Sequence, residues 1–538
     1  MAKRQAYQKV ASYEAQRNQV KKIVLLYSGS IYTSVLIPWL KKAYKADVVA
    51  LLVDIGQKVD FADLKKQAEK LGADKVVLVD AKEQFANEYL ARAIKANTAY
   101  QGRYHMLTPL SRPLLARIAV ATAENEGASA IAHGCSAQSN DQIRLEGVIL
   151  ALNSDMKIIA PLRDETLFKK EALVLAKKYK IAESEIAKGY SYDENLWGVS
   201  IIGGDLEKRN IPDRIEHILH LTTLPEKAPE VAQRITIDFT NGIPTALDGE
   251  KMDLVQLIKQ LNSIGGKHGV GLLYTIEDMI LGLKSRSIDE EPAAAILLEA
   301  HRELEKYVSS RAETEFKSHI DTKWIYLAYE GKWYDPLMSD LESFINNVNE
   351  KVTGTVCLRL YKGNIELLSL ESPKNIFEKR LAVNTNAGVV NHRAIAGYIE
   401  LSSLPMRLAN RSEKTILLTI GQRTNKFKLL PQLRSLDKKR YKIYATYKTH
   451  KFLSAQGIDA TLVNKIRFPN LKPNLIDLLA ERRFDLIIRI PSSKHPTKRE
   501  QLDSTYIEEK AREHGVPVAT SLKDAENYLE EITSTLTQ

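Results

Sequence analysis

Cysteine is nearly absent, with only Cys135 and Cys357 in the chain. Neither belongs to a CxxC pair or to a Cys/His ligand spacing, which excludes a disulfide framework and gives no reason to expect a metal site. Long apolar runs are also missing, since none reaches the roughly 18 residues needed to cross a bilayer. The opening stretch MAKRQAYQKVASYEAQRNQVKK lacks the apolar core and small-residue cleavage site of a secretory leader, so a cytoplasmic address is expected. No internal repeat, long low-complexity segment or recognised nucleic-acid module stands out.

The composition is an ordinary one for a packed protein, 44% hydrophobic and 27% charged. A chain of 538 residues exceeds what one core serves, and about three domains are expected. Net charge is +10 with a pI near 9.1, gathered in the N-terminal extension and between Arg411 and Arg499. Such a surplus suits phosphates or acidic metabolites, or simply a solvated basic face; without a module, nucleic acid is not expected as a partner.

The hydrophobic pattern alternates in type from Lys22 onward. IVLLYS, DVVALLVDIG and KVVLVD read as buried strands, with helices at Ser34–Tyr44 and FADLKKQAEKLG between them. This βαβαβ order predicts an α/β domain, a parallel sheet with helices on both faces, extending to about Lys188. Ligands of such sheets sit beyond the carboxyl ends of the strands. SRPLLARIAVATAENEG reads as a further helix, and ASAIAHG as a strand leading into the polar loop CSAQSNDQIR. An α+β region ending near Arg407 follows, with IGGKHGVGLLYTIEDMILGLKSR and PAAAILLEAHRELEKYV as long helices and a hairpin around Lys362-Gly363-Asn364. Residues 408–414 read as a linker. From ILLTIG at 416–421 the α/β pattern resumes, with KIYATY, DATLVNK, FDLIIRIPSS and VPVATS as strands.

Between the first strand and the first helix lies SGSIYTS, residues 28–34. Small residues before a helix bring backbone N–H groups and the positive helix end to where an anion can sit. The G-x-x-x-x-G-K-[ST], G-x-G-x-x-G and G-x-S-x-G patterns are all absent from this loop. An ordinary turn whose Ser and Thr cap the helix explains it equally well.

Residues 22–407 resemble argininosuccinate synthase through YSGSIYTS, DIGQ, YQGRY, SRPLLAR, AHGCSAQSNDQIR, YSYDENLWG, GGKHGVG and GLKSR, in the family's order. The resemblance implies an ATP-pyrophosphatase domain of the adenine nucleotide α-hydrolase type over residues 22–188. It implies a synthetase domain over 189–407 with an oligomerising C-terminal arm, and hence a homotetramer. Residues 1–21 precede these domains as a basic extension. The implied chemistry is attack of the citrulline ureido oxygen on the α-phosphate of ATP, then displacement of AMP by the amine of aspartate. No nucleophilic side chain is required, and no catalytic residue is assigned.

Carried over residue by residue, the family pattern assigns ATP, with magnesium, to Tyr27, Ser28, Gly29, Ser30, Thr33, Ser34, Val53 and Gly134. Citrulline falls to Tyr104, Asn140, Arg144, Ser191, Ser200 and Glu277, and aspartate to Ser136, Asn140 and Asp141. Arg144 suits a carboxylate and Glu277 an ammonium. Departures gather around ATP. Ser30 stands for a glycine and Tyr32 for an aspartate of the family loop, and Ala137, Gln138 and Ser139 replace Gly-Lys-Gly. Near citrulline, Pro109 replaces a serine and Asp289 a tyrosine, adding negative charge near Glu277. An added Cβ and a lost carboxylate are expected to weaken or abolish the ordinary reaction. The alternative is a non-catalytic sensor or scaffold that keeps the amino-acid and phosphate pockets.

Residues 416–523 resemble the methylglyoxal-synthase-like fold, especially the allosteric domain of carbamoyl phosphate synthetase, through ILLTIG, YATYKTHKFLSAQGI, ATLVNKI, FDLIIRIPSS and HGVPVATSL. The domain, 416–538 after a linker at 408–415, is expected to bind a phosphate or nucleotide effector through Lys426, Thr446, Thr449 and Lys465, or to serve a purely structural or partner-binding role.

Overall fold

The computed structural model describes residues 10–164, 167, 169–181, 189–208, 215–378, 393–409, 414–438, 440–493 and 497–534. The expected domain boundary at Lys188 and residues 410–413 of the expected linker lie outside these. Packing divides the chain into two units, Met1–Lys379 and Arg380–Gln538.

The first unit begins with five parallel strands, β1 (Lys22–Leu26), β2 (Asp47–Asp54), β3 (Lys75–Asp80), β4 (Ala130–Ala132) and β5 (Lys157–Ile159), in the order β3-β2-β1-β4-β5. Ile23 to Leu25 and Val48 to Leu52 are buried, as apolar runs covered on both faces require. The chain steps from β1 outward to β3, then returns to β4 on the other side of β1. A crevice therefore opens at the carboxyl ends where the strand order reverses.

Helix α1 (Ile31–Tyr44) starts three residues earlier than its apolar pattern predicts, because Ser30 caps it by accepting from Thr33 N. Helix α2 (Phe61–Lys70) is capped by Asp60 in the same way. Before β1, the basic extension folds against this domain. Tyr13 O accepts from Ile158 N at 2.9 Å, Ala15 N donates to Ile158 O at 3.1 Å, and Ala15 and Val20 are buried.

The rest of the unit carries β6 (Tyr190–Asn195), β7 (Gly198–Gly203), β8 (Gln233–Thr240), β9 (Ile243–Leu247), β10 (Glu250–Lys251), β11 (Leu272–Asp278), β12 (Lys284–Glu290), β13 (Gly354–Tyr361) and β14 (Asn364–Glu371). They form two sheets, ordered β10-β9-β8-β13-β14 and β11-β12-β7-β6. The stretch around residues 264–286, read above as a long helix, is instead a helix end followed by the β11–β12 hairpin. Gly269 at φ +71 and Gly271 at φ +77 stop the helix Leu254–Lys267, and both approach other backbone too closely for a side chain.

Cross-strand register fixes what the β6–β7–β12–β11 sheet presents. Asp193 pairs with Ser200 and Ser200 with Asp289, while Ser287 pairs with Thr275. By two-residue alternation, Ser191, Asp193, Ser200, Thr275, Glu277, Ser287 and Asp289 share one face.

The second unit holds an exposed helix, Ala394–Ala409, and strands β15 (Lys414–Ile420), β16 (Tyr441–Thr446), β17 (Thr461–Val463), β18 (Leu486–Ile490) and β19 (Val518–Ala519). These five are parallel, in the order β17-β16-β15-β18-β19.

Candidate active site

The loop after β1 is closed by its own hydroxyls. Ser30 Oγ lies 3.0 Å from Thr33 Oγ1, Ser28 Oγ lies 3.2 Å from the same atom, and Ser34 Oγ donates to Gly29 O at 3.3 Å. Tyr27 is buried beneath, its hydroxyl 3.3 Å from Ser34 Oγ. Positive φ is needed at Gly29, at +78, and not at Ser30, which sits at φ −62. The added Cβ of Ser30 therefore brings no backbone strain, and it stands at the helix N-terminus. Tyr32 packs half-buried against the apolar cluster that includes Val35 and Leu36. Gly134, after β4, faces Thr33, whose Cγ2 lies 3.1 Å from where a Cβ would be.

A cleft of about 640 Å³ opens beside this loop. Tyr27, Ser28 and Val53 line it from the ends of β1 and β2, Leu64 and Phe61 from α2, and Arg112, Tyr192 and Asp193 from the other side. Such a concave, mostly apolar cavity with a helix N-terminus at one end has the character of a nucleotide site.

The residues expected to grip an amino acid converge next to it. Asn140 and Arg144 stand on the helix Asn140–Leu152, which Ser139 caps. Arg144 Nε donates to Tyr329 O at 2.8 Å and Nη1 to Asp141 Oδ1 at 3.0 Å. Asn140 Nδ2 donates to the Tyr329 hydroxyl at 3.0 Å, and that hydroxyl donates to Glu277 Oε2 at 2.9 Å. Burial raises the Glu277 carboxyl, while Tyr329 and then Arg144 pull the other way. Asp141 stays below the usual carboxylate range, because Arg112 and Arg144 together outweigh the burial that would raise it. Tyr104 is buried with its hydroxyl 2.7 Å from Thr108 Oγ1. Burial, then Asp289, Glu277 and Glu291, push its phenol well above the ordinary value.

Ser136 follows Cys135, whose N–H donates to His133 Nδ1 at 3.2 Å. The other imidazole nitrogen lies 2.9 Å from Glu146 Oε1, so a buried ring braces the loop. Ser191 is exposed on β6.

Ser200 is already engaged, donating to Asp289 Oδ1 at 2.5 Å. Thr275 and Ser287 donate to Oδ2 of the same fully buried carboxyl at 2.8 and 2.7 Å. Burial, then Glu291, lifts Asp289 to about 7. Below about pH 7 the expected extra negative charge is therefore largely neutralised by a proton, and three hydroxyls surround the carboxyl. Pro109 lies in the first turn of the helix Leu107–Glu126, where a missing N–H costs the helix nothing.

Sequence reasoning missed Arg112 and Tyr329. Arg112 Nη2 donates to Asp141 Oδ2 and Asp193 Oδ1, both at 2.7 Å, joining the cleft wall to the amino-acid residues. Tyr329 lies between the Arg144 guanidinium, 4.7 Å away, and the parallel Tyr100 ring at 3.7 Å. Arg112 was visible in the SRPLLAR motif; nothing local to Tyr329 marks it.

In the second unit, Lys426, Thr446 and Thr449 meet at the carboxyl ends of β15 and β16. Lys426 Nζ donates to Lys448 O at 3.1 Å, Thr446 Oγ1 to Thr419 Oγ1 at 3.3 Å, and Thr449 Oγ1 to Ile420 O at 3.2 Å. Burial, then Lys448, lowers the buried Lys426 ammonium. Lys465 is instead paired with Asp503 at 3.4 Å.

Family models match residues 22–182 as the arginosuccinate synthase N-terminal HUP domain and 190–409 as the arginosuccinate synthase C-terminal domain. Residues 428–520 match as an MGS-like domain. The argininosuccinate synthase of Chlorobium chlorochromatii is 41% identical over 396 residues, covering 73% of this chain and 99% of that one. That of Pyrococcus furiosus is 42% identical, covering 72% and 94%. Among solved structures, an NAD+ synthetase from Burkholderia pseudomallei is 19% identical over 30% of this chain and 68% of that one, at a TM-score of 0.22. On the extent and identity of these matches, the chain belongs to the argininosuccinate synthase family and carries an additional MGS-like domain at its C-terminal end.

Proposed function

We propose that the protein is an ATP-dependent C–N ligase of the argininosuccinate synthase type, weakened at its phosphate loop and joined to an anion-responsive domain. The observation that carries this reading is the convergence of Arg144, Asn140 and Glu277 beside the cleft at the ends of β1 and β2. Arg144 binds the carboxylate of citrulline or a related ureido compound, and Glu277 its ammonium. Tyr104, Ser191 and Ser200 complete that pocket, while Ser136, Asn140 and Asp141 hold aspartate.

The ureido oxygen attacks the α-phosphate of ATP, the bond to pyrophosphate breaks, and citrullyl-AMP forms. The aspartate amine then attacks the activated carbon, loses a proton, and AMP leaves. Rate comes from orientation and charge placement rather than a covalent intermediate with the protein. The α1 N-terminus, with Ser28, Gly29, Ser30, Thr33 and Ser34, receives the leaving phosphates, and Tyr27, Val53 and Gly134 frame the nucleotide. Magnesium arrives with ATP; among the described residues no group of three His, Cys, Asp or Glu is disposed to hold a metal.

The self-bonded hydroxyls of the loop and the Ser30 Cβ support a slow or absent first step. The same observation favours the second reading, a non-catalytic sensor that retains the amino-acid pocket. The exposed apolar side chains of Ala394–Ala409, among them Tyr398 and Leu401, support homo-oligomerisation through this arm into a tetramer. Lys426, Thr446 and Thr449 support phosphate or nucleotide binding in the C-terminal domain, with Lys465 recruited when its pair with Asp503 opens.

Pyrophosphate release with magnesium ATP, citrulline and aspartate tests the reading, alongside calorimetric binding of citrulline. Bound citrulline with little pyrophosphate is expected. Turnover of about 1 per second or more overturns the weakened loop, and failure to bind citrulline overturns the ligase-type site.

A further inference from the structure

Residues 10–20 lie ahead of the matched family domains, yet their contacts lead to the polar loop after β4. Strand β5 ends its sheet, so its outer edge carries backbone groups that need partners. The extension supplies them at Ile158. Glu14 bridges that residue in parallel, the Tyr13 carbonyl accepts from its N–H, and its carbonyl accepts from Ala15 N. The Glu14 carboxylate turns back to accept from Val10 N at 3.0 Å and Ala11 N at 3.2 Å. Ala15 and Val20 join the core cluster around β1 and α1.

Tyr13 goes the other way. Its ring, half-buried, packs against the apolar cluster that includes Val148 and Ile149. Its hydroxyl donates to Glu146, whose charge, after burial, holds the phenol above its ordinary value. Glu146 is buried on the helix Asn140–Leu152, the same helix that presents Asn140, Asp141 and Arg144. The carboxylate also accepts from Arg163 Nη1 and lies 2.9 Å from His133 Nε2. The far side of that imidazole accepts from Cys135 N at 3.2 Å. Cys135 opens the loop that Ser139 closes by accepting from Asp141 N at 3.1 Å, and Ser136 lies between them. A buried carboxylate shared by Tyr13, Arg163 and His133 has little freedom to turn, so losing one donor lets the others shift.

We propose that Tyr13 is a positioning residue for the aspartate site, acting through Glu146 and His133 on the loop that carries Ser136. The proposal rests on the reading of Ser136, Asn140 and Asp141 as that site, and it makes the N-terminal extension a working part of the synthetase. Tyr13 touches no substrate. Its effect falls on aspartate rather than citrulline, because the path ends at Cys135 and Ser136.

The test uses the full chain and compares the parent with Tyr13→Phe, which keeps the ring and removes the hydroxyl, and with Val20→Ala, which loosens the extension away from Glu146. Calorimetric titration with citrulline, and with aspartate at saturating citrulline, is read beside hydrogen–deuterium exchange of residues 133–139. Tyr13→Phe is expected to weaken aspartate about fivefold, the scale of one hydrogen bond, to leave citrulline unchanged and to speed exchange in the loop. Val20→Ala is expected to lower the melting temperature with aspartate affinity and loop exchange as in the parent. Unchanged aspartate affinity in Tyr13→Phe overturns the proposal, whatever the exchange shows. An equal loss of aspartate in Val20→Ala also overturns it, since the extension would then act only through stability. A parent that binds citrulline but not aspartate removes the aspartate assignment and the proposal with it, and leaves the citrulline pocket standing.

Discussion

Tyr329 donates its phenolic hydrogen to Glu277 Oε2 at 2.9 Å, so the carboxylate expected to meet an amino-acid ammonium is already held by a residue 52 positions away in the chain. The bond lowers a carboxyl that burial raises. Tyr329→Phe removes it, and the Glu277 pKa rises further. Citrulline then loses its ionised partner at higher pH than in the parent. Affinity in Tyr329→Phe is expected to fall more steeply as pH is lowered from 8, by about tenfold or more, given roughly 1.5–3 kcal/mol for a hydrogen bond to a charged group. Coincident pH profiles from calorimetric titration would sink this relation.

Asp289 stores a pH dependence of stability. Its folded pKa of about 7 stands above the ordinary aspartate value of 3.8, so between these values the folded chain keeps a proton that the unfolded chain has released. Stability therefore falls as pH rises through this window, and the penalty, at most roughly 4 kcal/mol, is complete above it. Asp289→Asn is expected to raise the melting temperature relative to the parent at pH 8 and to leave it nearly unchanged at pH 4. A gap independent of pH would contradict the assignment.

The phosphate loop is tested by restoration. Ser30→Gly with Tyr32→Asp frees the N-terminus of α1 and returns a carboxylate to the loop, at a cost of a few tenths of a kcal/mol in capping. Pyrophosphate release is expected to rise at least tenfold. No change would move the defect to Ala137, Gln138 and Ser139.

Anion binding by the C-terminal domain is read by thermal shift with millimolar phosphate, UMP or IMP. A rise in melting temperature is expected in the parent, with loss in Lys426→Ala. Asp503→Asn releases Lys465 from its 3.4 Å pair and is expected to enlarge the shift. Melting temperatures that do not respond, in parent and variants alike, would leave this domain without an anion role.

Most of the architecture was legible because apolar periodicity is a local property. The buried runs of β1 to β3, the hairpin at Lys362-Gly363 and the parallel pattern after Lys414 all read directly. The error at 264–286 arose where Leu272 to Ile276 carry no clear alternation and the two glycines, read as interruptions, are the helix stop.

The site was legible only as far as motifs extend. Asn140, Asp141 and Arg144 stand within one turn of a helix and announced themselves together. Their partners Arg112 and Tyr329, and Asp193 on the far side of Arg112, come from other elements, and hydrogen bonds across such separations leave no spacing in the chain.

The sequence alone determined that this is a cysteine-poor α/β protein with two parallel-sheet domains and a loop of Ser, Gly and Thr after its first strand, since composition, strand order and loop residues are written consecutively. Only the tertiary structure decided that Ser30 sits at φ −62 without strain, that Asp289 is held by Ser200, Thr275 and Ser287, and that Tyr192 lies against His220. Each depends on which strand or loop packs beside which, a choice made by burying the whole chain at once.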